Sequence, residues 1–219
     1  MPGTIVLSPH PDDETLGAAG FLLREKSLGR PTYWLNLTDA RREYGYDDER
    51  IMSRTAEMAE VAQEFGFHDV FNLALEPMAL DALPRRHIVE KISEIFSLVQ
   101  PECVLLPHPD DAHSDHSVCF EAGHACTKSF RQPSIRRVMT MEIVSETHFG
   151  STGGFLPNVF ADISEFLDDK IRIMSLYKSE LGVHPHPRSM DSIKSLATLR
   201  GSQAGVEFAE AFGLVRMTE

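Results

Sequence analysis

Three cysteines in 219 residues are too few and too scattered for a disulfide framework. Cys103 lies in an apolar run, and Cys119 and Cys126 are seven apart, on one face of an expected helix. All three read as buried small hydrophobes in a reducing compartment. No apolar run approaches the length of a membrane span. The start, MPGTIVLSPH, has no basic segment ahead of an apolar one, so a signal peptide is not expected. Basic residues are also scarce. Against 33 Asp and Glu stand 21 Lys and Arg, a formal charge of -12, which argues against nucleic acid or an anionic membrane as the main partner. The pairs Arg41/Arg42, Arg85/Arg86 and Arg136/Arg137 are dispersed and read as solvated surface. No GxGxxG follows the first apolar run and no GxxxxGK[ST] occurs, so neither a nicotinamide site nor a phosphate loop is expected. Nothing marks a domain boundary. The expectation is one cytoplasmic domain over 1–219.

What is present is a regular alternation. TIVLS (4–8), TYWLNLT (32–38), DVFNLAL (69–75) and ECVLLPH (102–108) read as buried strands. Between and after them, 13–29, 50–65, 85–100 and 115–130 read as helices. The second carries Ile51, Met58, Val61, Ala62 and Phe65 near helical spacing, with Gly66 to stop it. A β-α-β-α order implies parallel strands joined by helical crossovers, a Rossmann-like α/β sheet flanked by helices. The remainder is less regular. Strands are expected over 136–144 and 159–164 and helices over 165–177 and 191–201, with a glycine-rich loop between the strands and no element assigned beyond residue 201.

The string PHPDD occurs twice, at 9–13 and at 107–111, immediately after the first and fourth strands. In a Rossmann-like order those strands are neighbours, and ligands bind beyond their carboxyl ends where strand order reverses. The pattern therefore brings two sequence-distant clusters to one place. His10 and Asp13 offer an imidazole and a carboxylate from the first turn, and His113 and His116 two imidazoles from the second. Such a set suits a catalytic zinc with three protein ligands, and ferrous iron as well. Adjacent carboxylates rarely face the same way, so Asp13 can bind metal while Asp12 takes a proton from water.

PHPDDETLG together with DAHSDH resembles the LmbE-like, or PIG-L, superfamily of zinc-dependent N-acetylglucosaminyl de-N-acetylases. RTAEMAEVAQEFGF (54–67), YKSEL (177–181) and LRGSQAGVEFAEAF (199–212) are similar to further parts of its pattern. The resemblance implies one zinc per chain on His10, Asp13 and His116, with Asp12 as general base. It implies a protonated His113 that stabilises the oxyanion or protonates the amine, with Asp115 orienting it. Arg54 matches an arginine associated with substrate. Asp111 stands where some relatives carry a tyrosine and others a carboxylate, and is taken as a second substrate contact. His108 and Asp110, in the second PHPDD, read as loop residues outside the metal set. The implied substrate is a small N-acetylated amino sugar or conjugate, without membrane insertion, and a homo-oligomer is allowed. Two alternatives stay open. One is a zinc-dependent hydratase or lyase on a small unsaturated carboxylic acid, the other a noncatalytic Rossmann-like binding module. His184 and His186 in GVHPHPRSM, Asp39 at the end of the second strand, and a lid over 147–155 are further candidates for the cleft.

Overall fold

The structure, a computed structural model, describes residues 3–151 and 154–219. The first half follows the alternation: β1 (Thr4–Ser8), α1 (Asp13–Ser27), β2 (Thr32–Thr38), α2 (Asp48–Phe65), β3 (Asp69–Leu75), α3 (Arg85–Val99), β4 (Cys103–Leu106) and α4 (Ser114–Cys126). Then come β5 (Arg137–Met141), β6 (Val159–Asp162), α5 (Leu167–Met174), α6 (Met190–Ala204) and β7 (Ala209–Met217). Local chemistry sets several of these limits. Asp47 caps α2 by accepting the Arg50 N–H at 2.8 Å, and Gly66 ends it in the left-handed conformation. The fourth helix stops short of the expected residue 130 because Thr127 turns the chain, its N–H and hydroxyl both donating to the His124 carbonyl.

The seven strands are ordered β3-β2-β1-β4-β5-β7-β6. Strands β3 through β5 are parallel. The last strand, β7, runs antiparallel between β5 and β6. Strand order reverses between β1 and β4, which pair directly, so both PHPDD turns leave the sheet side by side.

Side chains alternate between two cores. Val6, Trp34, Leu105 and Met139 face α1, α2, α5 and α6, whereas Ile5, Leu7, Leu35, Leu37, Val104 and Leu106 face α3 and α4. This period of two, buried on both faces, is why the strands read as unbroken apolar runs. Gly20 lets α1 lie against the sheet edge, where a Cβ would collide with Ile163.

One element lies outside the sequence expectation. The strand β7 carries Glu210, Gly213 and Arg216 within its run, which break the apolar signal. Glu210 is nonetheless buried, because it pairs with Lys170 at 2.6 Å and accepts the N–H groups of Gly20 and Phe21.

Candidate metal centre and active site

Both turns after β1 and β4 are built to face each other. After β1, Thr38 holds the Pro9 carbonyl with its N–H (3.1 Å) and hydroxyl (2.7 Å). The His10 N–H donates to Asp13 Oδ2 at 2.9 Å. Asp12 sits between them at φ 125°, a conformation L side chains seldom adopt, at a cost of about 1–3 kcal/mol. It is held there by Glu14, whose Oε2 accepts the Asp12 N–H at 3.2 Å. Glu14 is fully buried, bonded by Tyr177 (2.8 Å), Thr15 (2.6 Å) and Ser8 (3.4 Å), and Ser8 in turn receives the Trp34 indole N–H at 2.9 Å. Strain at the site is thus supported by a buried polar chain that runs into the core shared by α1, α2, α5 and α6.

After β4, His113 caps α4 and His116 lies one turn further on. His116 Nδ1 bonds Asp111 Oδ2 at 2.8 Å, and its Nε2 lies 3.3 Å from Asp13 Oδ2. His10 turns its Nε2 to Asp115 Oδ2 at 2.9 Å, leaving Nδ1 at 3.6 Å from Asp13. Two groupings could each hold an ion: His10, Asp13 and His116, or His10, His113 and Asp115. The first fits a metal better. His116 Nε2 is buried with no hydrogen-bond partner among the described residues, the state of a ligand atom awaiting an ion. In the second grouping the Asp115 carboxylate already accepts the N–H groups of Met78 (2.7 Å) and Leu80 (3.1 Å), and His113 Nδ1 accepts the Asp115 N–H at 3.1 Å.

The electrostatics follow from burial and pairing. Burial opposes a charge on His116, yet Asp13 and Asp111 carry its pKa up to about 10. Burial also works against ionised Asp13, but His116 and His10 bring it down to about 2. Asp12 is raised well above the usual carboxylate range by burial and by Asp13, with Arg188 opposing. Burial and His10 lower the pKa of His113.

Two expectations change here. Asp115 does not orient His113 with its side chain: its carboxylate fixes His10, and only its backbone reaches His113. His113 is not placed as an imidazolium either. An acceptor Nδ1 puts the ring proton on Nε2, and the surroundings favour the neutral ring.

A cleft of about 340 Å³ opens over this cluster, lined by His10, Asp12, Asp13, His113 and His116 together with Asp39, Arg50, Arg54, Met78, Glu146, Glu180 and Arg188. Arg54, 8% exposed, donates to the Pro11 carbonyl at 3.0 Å and to Glu180. Asp111 lies behind His116 rather than on the cleft wall. His108 stands apart from both ion-holding groupings, its ring edge-on to Phe155. His184 and His186 are exposed and off the cleft wall. Their loop reaches the cleft through Arg188, whose guanidinium lies 3.4 Å from both Asp12 and Glu180. Of the glycine-rich segment expected as a lid, residues 152 and 153 lie outside the described part. Glu146, Glu180 and Arg188 were not singled out in the sequence. Glu180 had a signal in YKSEL, but nothing there separates a cleft carboxylate from a surface one.

The family model described as PIG-L: GlcNAc-PI de-N-acetylase matches residues 5–127, more than half of the chain. The chain belongs to the PIG-L family. It is thereby a hydrolase of that family, and the matched span contains both PHPDD turns. Among curated relatives, diacetylchitobiose deacetylase from Thermococcus kodakarensis is 22% identical over 96% of this chain and 82% of its own length. A probable N-acetyl-alpha-D-glucosaminyl L-malate deacetylase 2 from Bacillus subtilis is 23% identical over 80% of this chain and 82% of its own. Among solved structures, GalB, the 4-carboxy-2-hydroxymuconate hydratase from Pseudomonas putida KT2440, superposes with a TM-score of 0.78 at 18% identity, covering 100% of this chain and 99% of that one. At that identity the likeness is one of fold.

Proposed function

We propose that this protein is a zinc-dependent deacetylase that removes the acetyl group from the nitrogen of an N-acetylglucosamine-type sugar. The observation that carries the reading is a buried, strained Asp12 carboxylate beside a three-residue donor set in which His116 Nε2, 3.3 Å from Asp13, makes no hydrogen bond with any described residue. His10 Nδ1, Asp13 and His116 Nε2 would hold the ion, with Asp115 and Asp111 fixing the two rings from behind. When bound, zinc supplies Lewis acidity that acidifies water and polarises the acyl oxygen.

The chain's own residues do the rest. Asp12 accepts the proton of the attacking water. Its raised proton affinity, from burial and Asp13, suits it to hold that proton and return it to the departing amine. His113 presents Nε2–H to the developing oxyanion, its orientation set by the Asp115 N–H on Nδ1. Arg54 anchors the Pro11 carbonyl and so the turn that carries Asp12.

The hydratase likeness supports a second reading, water addition to an unsaturated acid with the same base. Acetate release from a panel of N-acetylated sugars, with metal content measured on the same preparation, separates the two. Acetate with about one zinc per chain supports the deacetylase. Loss of a conjugated chromophore without acetate supports the hydratase.

A further inference from the structure

The charged groups on the cleft wall are almost all paired within the protein. Asp12 lies beside Arg188, and Asp13 beside His10 and His116. Asp39 receives the Asn72 side-chain amide at 2.8 Å. The guanidinium groups of Arg50, Arg54 and Arg188 converge on a single carboxylate, Glu180, which is 13% exposed. Glu146 is the exception. It lines the cleft half-buried, and its carboxylate makes no hydrogen bond or ion pair with any described residue. Its backbone is nevertheless fixed. The Glu146 N–H donates to Ile143 at 2.9 Å, and its carbonyl accepts the Ala112 N–H at 3.3 Å, tying it to the second histidine motif.

A carboxylate offers acceptors only. A polar group left without donors when a ligand displaces water is costly, so whatever fills this cleft must bring hydrogen-bond donors to Glu146. We propose that Glu146 is a specificity-determining residue that accepts hydroxyl hydrogens of a neutral amino sugar. This rests on the deacetylase reading and narrows its substrate class. A carboxylate placed against Glu146 would meet a like charge that no described residue pairs.

The test uses the zinc-loaded full chain and three acetamides: N,N'-diacetylchitobiose (neutral), the malate glycoside of N-acetylglucosamine (acidic), and N-cyclohexylacetamide (no hydroxyls). The wild type is expected to prefer the neutral sugar over the acidic one. In Glu146→Ala the ratio of kcat/KM for the sugar to that for N-cyclohexylacetamide should fall about 10- to 100-fold, mostly through KM. Glu146→Gln, closer in shape, should show the same sign. An equal fall on sugar and cyclohexyl substrates would make Glu146 a structural residue and overturn the assignment, as would a wild-type preference for the malate glycoside. If no acetamide is cleaved, the deacetylase reading fails, and calorimetric binding of chitobiose still decides. Weaker binding to Glu146→Ala upholds the sugar contact; equal binding, or none to the wild type, overturns it.

Discussion

Asp12 and Asp13 are adjacent carboxylates with opposite fates, and burial alone cannot explain the difference because both are buried. What separates them is the partner: Asp13 meets two imidazoles, whereas Asp12 meets Asp13 and a more distant Arg188. Asp12→Asn should therefore keep zinc and lower turnover by about 10²- to 10⁴-fold. Near-normal turnover with full metal content would remove Asp12 from the role of base. Behind the ligands, Asp111→Ala should weaken zinc about 10- to 100-fold in a chelator competition by releasing His116 Nδ1. His108→Ala, outside the ligand set, should bind zinc as the wild type does. Matching affinities for the two variants would show that the Asp111 contact does not support the site. The pKa of His116 adds a pH dependence. Raised from 6.5 to about 10, it contributes stability to the metal-free protein that is complete below pH 6.5 and lost as pH rises through about 10. A metal ion must displace that proton, so zinc affinity should climb across this window with release of one proton. Titrations in buffers of different ionisation enthalpy measure it, and a flat pH profile would contradict it.

At the scale of elements, α1 is the part that delivers Asp12 and Asp13, and its grip on the sheet comes from far away in sequence. Lys170 on α5 donates to the Leu16 carbonyl at 2.8 Å and pairs with Glu210 on β7, which receives two N–H groups of α1. Lys170→Met leaves Glu210 buried without its cation. The expected loss is about 3–5 kcal/mol in denaturant unfolding; a loss under 1 kcal/mol would mean that water or relaxation replaces the pair. These same residues show where the sequence stopped being readable. The parallel strands were legible because burial on both faces leaves unbroken apolar runs. The β7 strand was not, because its charged Glu210 satisfies a partner that only the fold brings near. The histidine motifs were legible because their chemistry is unusual at that spacing. Glu180 and Arg188 were not, since a cleft charge and a solvated charge look alike until the chain is folded. Asp115 was expected to orient His113; its carboxylate bonds His10 and its backbone N–H bonds His113. The resemblance implied His113 as its partner, while the β1–β4 pairing brings His10 to its carboxylate.

On the whole-molecule scale, the sheet order does the assembling. Reversal between β1 and β4 puts two turns, 98 positions apart in their repeated string, side by side, so that His10, Asp13 and His116 bring ligand atoms within 4.8 Å of one another. No helix among the described residues is long and apolar enough to cross a membrane, and the cleft opens at the carboxyl ends of the strands, where this architecture places ligands. The chain is a hydrolase of the PIG-L family, and the proposed deacetylation gives His10, Asp13 and His116 the ion and Asp12 the proton. The measurement that tests this most directly is acetate release from N,N'-diacetylchitobiose by protein stripped of metal and then titrated with zinc. The account predicts no acetate from the stripped protein and activity rising to a plateau at about one zinc per chain. Acetate released at an undiminished rate without metal, or zinc bound at one per chain with no acetate from any N-acetylated sugar, would contradict it.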